Sequence, residues 1–328
     1  MGMSMVVSKQ IHTLFNIPAG GLKTLFLRTQ PPKEKVLVVM GATGTGKSRL
    51  AVELATRFPS EIVNSDKIQI HQGLDIATNK ITEEEQCGIP HHLLGIINPN
   101  ADFTAGNFCA AASLAVRSIA GRGHLPILAG GSNSYIEALI DDNNHEFRSR
   151  YDLCFLWVDV SIPVLHNFLS DRVDRMVQNG MVDEVRNTFN PNNADYSRGI
   201  RRAIGVPELD RYFRAEKFLE KEAREKLLQE AIDEIKSNNC KLACRQLEKI
   251  YRLRNVKGWK LHRLDATGVL LKRGKEADQA WETLVAAPSY MILNRFLYDV
   301  GHRVYGGNAA GVRATAMAGK PLAAAGPV

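Results

Sequence analysis

Residues 36–50, VLVVMGATGTGKSRL, decide the fold that we expect for this chain. The apolar run at 35–40 predicts a buried strand, and residues 47–58 predict a helix. Between them, GATGTGKS at 41–48 fits the P-loop spacing G-x-x-x-x-G-K-[ST]. Such a loop turns its backbone N–H groups toward phosphate oxygens at a helix N-terminus, so it predicts a phosphate site without identifying what the phosphates carry.

Every residue of the loop is a candidate for binding a diphosphate or a nucleotide. The Lys47 ammonium adds a charge for the terminal phosphate, and the Ser48 hydroxyl is placed to bind Mg²⁺. The full candidate set is Gly41, Ala42, Thr43, Gly44, Thr45, Gly46, Lys47 and Ser48.

Further apolar segments alternate with helical ones, which predicts an α/β fold whose parallel sheet carries helices on both faces. Strands are expected at 61–66, 125–131, 154–160 and 259–267, and two amphipathic helices at 221–236 and 241–254. The predicted organisation is a leader at 1–33, a core at 34–160, a mostly helical insertion and lid at 161–240, helices returning to the core at 241–297, and a Gly/Ala-rich disordered tail at 298–328.

The net charge of +7 comes from the two ends of the chain. Residues 1–33 carry four basic side chains and residues 301–328 carry three, and neither segment has an acid, so the body between them is neutral. A neutral body argues against a protein that wraps a polynucleotide, because such proteins usually have a basic body. The sequence also contains no run of 18 apolar residues, so no membrane partner is expected.

Asp66 ends the second predicted strand, where side chains of a parallel sheet point into the ligand crevice. Three roles fit this position equally from spacing: a general base, a carboxylate that acts on Mg²⁺ through water, and a helix N-cap. No acid follows the strand at 125–131, and Asp159 stands without an acidic neighbour. An ATPase normally holds its metal and water with such an acid, so the pattern favours group transfer over hydrolysis.

Two other groups are candidates for the substrate site. The segment GGSNSYIEAL at 130–139 either lines a substrate pocket or only makes a tight turn, and with the residue before Asp66 it supplies Ser65, Gly130, Gly131, Ser132, Asn133 and Tyr135. Clusters of basic residues at 172–176, 198–205 and 245–254 form either solvated helix faces or a polyphosphate clamp. The candidates from the clusters are Arg175, Arg202, Arg245 and Lys249.

Between about residues 36 and 297 the chain resembles the plant adenylate isopentenyltransferases, which are related to the tRNA dimethylallyltransferases. The resemblance rests on ordered segments: GATGTGKSRLA, NSDKIQIHQGLDIATNK, GIPHHLLG, LPILAGGSNSYIEAL, FLWVDVSIPVL, RVDRMVQNGMVDEVR, RGIRRAIGVPELD and RQLEKIYRL. It implies a P-loop kinase-like fold with a helical insertion. It also implies transfer of a dimethylallyl group from its diphosphate to the exocyclic amine of adenine in ATP or ADP, the start of cytokinin synthesis.

The resemblance also assigns catalytic roles. Asp66 becomes the general base that accepts the amine proton, Thr43 contacts the bridging oxygen of the diphosphate, and Lys47 neutralises the leaving group, with Mg²⁺ held at Ser48. The tRNA-modifying relatives carry GYRQ where this chain has GVPE at 205–208, which favours a free nucleotide over tRNA as acceptor.

Two alternatives to this function stay open at this stage: prenylation of tRNA, and a P-loop kinase acting on a small molecule. We further expect a monomer. The leader, with basic residues among apolar ones and no acid, predicts a plastid location, with the mitochondrion and the cytoplasm as alternatives.

Overall fold

A computed structural model describes residues 33–141 and 146–298 of the chain. Its centre is a six-stranded, entirely parallel sheet in the order β3-β2-β4-β1-β5-β6. The strands are β1 Glu34–Met40, β2 Ser60–Asn64, β3 His91–His92, β4 Leu125–Ala129, β5 Tyr151–Asp159 and β6 Leu261–Asp265. The predicted leader and tail lie outside the described residues, apart from Lys33 and residue 298.

Helices cover both faces of this sheet, and a group of them extends beyond it. They are α1 Lys47–Arg57, α2 Ala105–Gly121, α3 Asn133–Ile140, α4 Glu146–Arg150, α5 Ile162–Gln178, α6 Met181–Thr188, α7 Val206–Ala215, α8 Lys221–Asn255, α9 Thr267–Leu270, α10 Gly274–Trp281 and α11 Ala287–Tyr298. A 3-10 turn at Gly199–Arg202 and a π turn at Glu282–Ala286 complete the described chain. No helix among the described residues is long and apolar enough to cross a membrane.

The apolar run of β1 is buried on both faces, which explains why it does not alternate with polar residues. Leu37 and Val39 pack against α1 and the C-terminal helices, whereas Val36 and Val38 pack against α2 and α3. A third cluster, with Val173, Leu209 and Ile235 at its centre, joins α5, α7 and α8. The predicted α/β fold, with a parallel sheet covered on both faces, is confirmed.

The largest difference from the expected elements is α8, because one helix of 35 residues replaces the two helices at 221–236 and 241–254. The intervening SNNC segment contains no glycine or proline that would end a helix. Its asparagines instead use their side chains for contacts with other elements: Asn238 donates to Glu208, and Asn239 accepts from Arg172. The predicted boundary at residue 240 therefore falls within a continuous helix.

Two smaller differences concern the point where β2 ends and an additional strand at the edge of the sheet. The strand expected at 61–66 stops at Asn64, because the chain turns at Ser65 and Asp66. The two-residue strand β3 is too short to give a periodic signal in sequence, and it pairs with β2 at the edge of the sheet.

Candidate active site

The P-loop connects β1 to α1 and needs its glycines for two different reasons. Gly44 and Gly46 have left-handed backbone, with φ of 82° and 92°. A side chain on Gly41 would instead collide with the carbonyl oxygen of Val158, since its Cβ would lie 2.5 Å from that atom. The loop is thereby closely packed against β5 as it enters α1.

Lys47 begins α1, and its side chain is buried. Its ammonium donates to the carbonyl oxygen of Ala42 at 2.6 Å. Burial lowers the pKa of Lys47 to about 8; the Asp66 carboxylate opposes this change, and the nearby Arg172 guanidinium adds to it. The Lys47 ammonium is therefore shielded from water and lies close enough to Asp66 and Arg172 for their charges to affect its pKa.

Asp66 follows β2, and its two carboxylate oxygens have different surroundings. Oδ1 accepts the backbone N–H groups of Ile68 at 2.8 Å and Gln69 at 3.3 Å, as an N-cap oxygen would. Oδ2 has no hydrogen-bond partner among the described residues, and it would lie 3.0 Å from a Cβ placed on Gly131. One carboxylate can therefore cap the turn and still present a free oxygen.

Arg172 and Gln246 contact Thr43 from two different helices, α5 and α8. Arg172 of α5 donates from Nη1 to the Thr43 hydroxyl at 3.1 Å and from Nη2 to Oδ1 of Asn239 at 3.0 Å. Gln246 of α8 accepts the Thr43 N–H at 2.7 Å and donates to the carbonyl oxygen of Gly131 at 2.9 Å. Burial, followed by the neighbouring Arg175 charge, lowers the pKa of Arg172 to about 10.

The P-loop, the turn after β2, the end of β4 and the helices α5, α7 and α8 enclose a cavity of about 720 Å³. Its charged lining is strongly unbalanced. The basic side chains are Lys47, Arg49, Lys67, Arg172, Arg175, Arg202 and Arg245, and the acidic ones are Asp66 and Glu208. Such an excess of cations suits ligands with several negative charges.

Glu208 is the second carboxylate of the cavity, and its two oxygens are both engaged. Oε2 accepts the Gly205 N–H at the start of α7, and Oε1 accepts from the Asn238 amide, each at 2.7 Å. Asp159, at the end of β5, lies outside the lining and pairs with Arg263 at 2.7 Å. Among the acids that the structure describes here, only Asp66 retains an unpartnered oxygen in the cavity.

The structure brings together most residues that the sequence singles out. Thr43, Lys47, Ser48, Asp66, Gly44, Gly46, Gly130, Gly131, Arg175, Arg202 and Arg245 all line the cavity. Gly41, Ala42 and Thr45 are buried behind the loop, where the Thr45 hydroxyl donates to the Ala42 carbonyl oxygen. These three residues shape the loop from within.

Lys249 and four pocket candidates lie outside the cavity lining. Lys249 pairs with Glu137 at 2.8 Å, and the same carboxylate also binds Arg252. Lys249 lies one helical turn beyond Arg245, and at that point α8 faces α3 rather than the loop.

Three of the other four candidates hold neighbouring elements in place through side-chain hydrogen bonds. The Ser132 hydroxyl accepts the Lys67 N–H, and the Asn133 amide donates to the Gln246 carbonyl oxygen. The Tyr135 hydroxyl donates to the Phe103 carbonyl oxygen at 2.6 Å, and Ser65 is completely buried. These contacts attach the start of α3 to both sides of the cavity.

The candidates chosen from the sequence do not include Arg172, Gln246, Asn239 and Glu208, which also line the cavity. Arg172 lies three positions before Arg175, so helical spacing places both on one face and would have indicated it. Gln246 is adjacent to Arg245, but its partner Thr43 is 203 residues away, and no local pattern indicates that contact.

Comparison with known proteins identifies related sequences. The IPP transferase family model matches residues 69–149 and 141–250. The chain is 59% identical over 310 residues to adenylate isopentenyltransferase 3, chloroplastic, of Arabidopsis thaliana, with 92% of each chain covered. It is 60% identical over 279 residues to adenylate isopentenyltransferase 5, chloroplastic, with 84% of each covered, and 55% identical over 269 residues to isoform 7, mitochondrial, with 81% of each covered, both from the same plant.

Solved structures share the fold at lower identity. A eukaryotic dimethylallyltransferase acting on tRNA superposes with a TM-score of 0.67 at 22% identity, covering 83% of this chain and 81% of that chain. The full-length tRNA isopentenylpyrophosphate transferase of Bacillus halodurans gives a TM-score of 0.63 at 25% identity, covering 81% of this chain and 99% of the other.

Proposed function

This chain belongs to the IPP transferase family, and from that premise we propose that its cavity transfers a dimethylallyl group from dimethylallyl diphosphate to the exocyclic amine of adenine in ATP or ADP. The protein is an adenylate isopentenyltransferase, and its reaction belongs to cytokinin synthesis. One observation carries the assignment of this reaction to the cavity: the P-loop with Lys47 and the free oxygen of Asp66 line the same cavity.

The P-loop side of the cavity suits the diphosphate of the donor. Loop N–H groups and the Lys47 ammonium would bind its oxygens, and Arg172 would add a second charge beside the Thr43 hydroxyl. As the bond between the allylic carbon and the diphosphate oxygen breaks, negative charge accumulates on the leaving group. Donors fixed in advance around that charge lower the barrier without having to reorganise.

The Asp66 side of the cavity suits the adenine amine. The lone pair of that amine is delocalised into the ring, so the amine attacks well only if it loses a proton as the new bond forms. The amine nitrogen bonds to the allylic carbon, diphosphate leaves with the electrons of the broken C–O bond, and the proton passes to Oδ2 of Asp66. The cap made by Oδ1 holds the carboxylate in place during this transfer.

The residues near the P-loop fit a magnesium ion of the kind that accompanies diphosphates. The Ser48 hydroxyl lines the cavity and makes no hydrogen bond among the described residues. The described chain contains no cluster of three or more His, Cys, Asp or Glu side chains able to hold a metal. Mg²⁺ commonly takes one or two protein ligands plus phosphate oxygens, so we propose that Ser48 holds Mg²⁺ with the donor, where the ion would neutralise leaving-group charge.

The remaining cations suit the phosphates of the acceptor. Arg175, Arg202 and Arg245 line the cavity, and none of them forms an ion pair among the described residues. We propose that they bind the polyphosphate of ATP or ADP, while the donor diphosphate occupies the P-loop. This division assigns five of the seven basic residues of the cavity to two polyanions.

A free nucleotide is a better supported acceptor than tRNA. The named relatives at 55–60% identity are adenylate isopentenyltransferases, whereas the tRNA-modifying structures are 22–25% identical. The balanced charge between residues 34 and 300 supports the same choice. A monomeric state stays a prediction, which gel filtration with light scattering would test.

The predicted plastid location agrees with the chloroplastic names of two relatives, and the mitochondrial name of a third matches one of the stated alternatives. Fusion of residues 1–33 to a fluorescent protein would test the predicted leader directly. Import into plastids is expected, and retention in the cytoplasm would contradict it.

Incubation with radiolabelled dimethylallyl diphosphate, Mg²⁺ and each of ATP, ADP, AMP and unmodified tRNA tests the function. Label is expected in ATP or ADP. Label in tRNA but in no free nucleotide would establish the tRNA alternative, and absence of label from every acceptor would exclude prenyl transfer. A parallel incubation with γ-labelled ATP tests the kinase alternative, for which phosphate would appear on a third molecule.

A further inference from the structure

A short turn at residues 74–79 forms part of the cavity wall, to which Ala77, Thr78 and Asn79 contribute. It begins at Leu74 and ends at Asn79, and both residues have left-handed backbone with φ of 50°. Residues other than glycine rarely adopt this conformation, although asparagine tolerates it best. Such backbone persists where surrounding contacts enforce it, and it is concentrated at functional sites.

Contacts from α6 hold the first part of the turn in this conformation. The Glu184 carboxylate of α6 accepts two consecutive backbone N–H groups, from Ile76 at 2.9 Å and Ala77 at 2.8 Å. A carboxylate that accepts two N–H groups at the first turn of a helical segment is a charge-assisted cap. The wall is therefore attached to α6.

Gln69 enforces the conformation at the end of the turn. Its side-chain amide donates to the carbonyl oxygens of Thr78 at 3.1 Å and Asn79 at 3.0 Å. The Asn79 N–H donates to the Ile76 carbonyl oxygen, also at 3.0 Å. Both backbone polar groups of Asn79, its N–H and its carbonyl oxygen, are therefore hydrogen-bonded.

The Asn79 side chain, in contrast, makes no hydrogen bond to any residue that the structure describes. It is exposed, and it borders the cavity. Its amide carries two donors and one acceptor. A fixed left-handed backbone thus presents an unpartnered amide to the cavity.

We propose that Asn79 is a specificity-determining residue that binds the adenosine part of the acceptor nucleotide, an inference that rests on the proposed function. Gln69 connects this wall to the general base, because its N–H donates to Oδ1 of Asp66 and its side chain holds Asn79. The adenine amine must lie at Asp66, so adenosine lies along the same wall. A neutral amide with donors and an acceptor matches the polar edge of a purine or a ribose better than it matches phosphate.

Two variants separate the side chain from the backbone. Asn79→Gly removes the amide and accepts φ of 50° without strain. Asn79→Asp keeps the shape and much of the left-handed tolerance, but replaces the two N–H donors with an acceptor. For both variants we expect the KM for ATP to rise about tenfold, which is the effect of losing one hydrogen bond. The KM for dimethylallyl diphosphate and the Tm should stay unchanged. Asn192→Gly, in an exposed loop outside the cavity lining, is the matched control and should equal the wild type.

Several results would overturn the proposal. An unchanged KM for ATP in both variants would do so, whereas an effect confined to Asn79→Gly would assign the contact to the amide oxygen, an acceptor that aspartate retains. For Asn79→Gly, we expect KM to rise by the same factor with ATP, ADP and AMP. A rise in KM that grows with the number of phosphates would assign the contact to phosphate and overturn the adenosine assignment.

Direct titration with ATP distinguishes this proposal from the function on which it rests. If wild-type protein transferred no prenyl group yet bound ATP about ten times more tightly than Asn79→Gly, the function would fail and the binding role would stand. If transfer occurred and ATP bound equally to both proteins, only the role of Asn79 would fail.

Discussion

Thr43 in the P-loop and Gln246 in α8 are joined by a 2.7 Å hydrogen bond, in which the Thr43 N–H donates to the Gln246 side-chain oxygen. The nitrogen of the same amide donates to the carbonyl oxygen of Gly131. A Cβ on Gly131 would lie 2.6 Å from that nitrogen and 3.0 Å from Oδ2 of Asp66. One amide therefore connects the P-loop to the position beside Asp66.

Replacing Gln246 with Leu should lower kcat by about tenfold or more, because a shift of the loop relative to Asp66 misaligns the two reacting groups. Steady-state kinetics with both substrates would measure this. Glu248→Gln, on the exposed face of the same helix, should leave kcat unchanged. A Gln246→Leu variant with wild-type kcat would show that the loop keeps its place without the amide.

Asp66→Asn should lower kcat by about 10²- to 10⁴-fold, the usual contribution of a general base. The asparagine oxygen can still accept the N–H groups of Ile68 and Gln69, so the fold and the affinity for dimethylallyl diphosphate should persist. Product formation and donor binding, measured on the same preparation, test both expectations. Turnover at the wild-type rate would refute the role of Asp66 as base.

The affinity for dimethylallyl diphosphate should fall as pH rises through about 8. Burial holds the pKa of Lys47 near that value, so the ammonium is present below it and lost above it. If the diphosphate binds only the charged form, its Kd should rise about tenfold by pH 9.

Lys47→Arg is the control for this pH dependence, because arginine stays charged throughout the range and its profile reports only ionisation of the ligand. Isothermal titration between pH 7 and 9 would measure both proteins. Identical pH profiles for the wild type and Lys47→Arg would contradict the assignment to Lys47.

Glu61 should stabilise the fold at neutral pH and lose this effect in acid. Burial of this β2 residue alone would raise its pKa, but hydrogen bonds from Arg122, His92 and His124 outweigh burial and lower the pKa to about 2. The stabilisation is complete above the unfolded value of 4.5 and declines as pH falls toward 2.

Glu61→Gln should therefore reduce the free energy of unfolding by up to about 3 kcal/mol at pH 7, and by less at pH 3. Urea denaturation at the two pH values would measure the difference, and Glu83→Gln, an exposed substitution, is its control. A difference that stays equal at both pH values would contradict the role of the ionised carboxylate.

Local patterns were sufficient to predict the P-loop, because the residues from Gly41 to Ser48 form one continuous segment between β1 and α1. Asp66 was predictable as a cavity residue for a related reason, since the carboxyl ends of parallel strands meet at one edge of the sheet. Two roles considered for Asp66, helix N-cap and general base, are compatible in geometry, because each would use a different carboxylate oxygen.

The partners of the loop were not predictable in the same way. Arg172 and Gln246 reach Thr43 across 129 and 203 residues, and such contacts depend on how α5 and α8 pack rather than on any spacing. Lys249 illustrates the same limit, because it shares a helix face with Arg245 yet lies beyond the rim of the cavity, where Glu137 binds it. The spacing of residues along a helix predicts which way a side chain points, but its position along the helix axis decides which residues surround it.

The unbroken course of α8 has a consequence for how such chains can vary in length. Asn239 and Gln246 are seven residues apart, two turns of one helix, and both act on Thr43, the first through Arg172 and the second directly. Inserting one residue between them would rotate everything beyond it by about 100°, so the two contacts could not coexist. Substitutions along this segment change single contacts, but an insertion or a deletion would break one of the two contacts with the loop, so related enzymes should preserve this interval even where its residues differ.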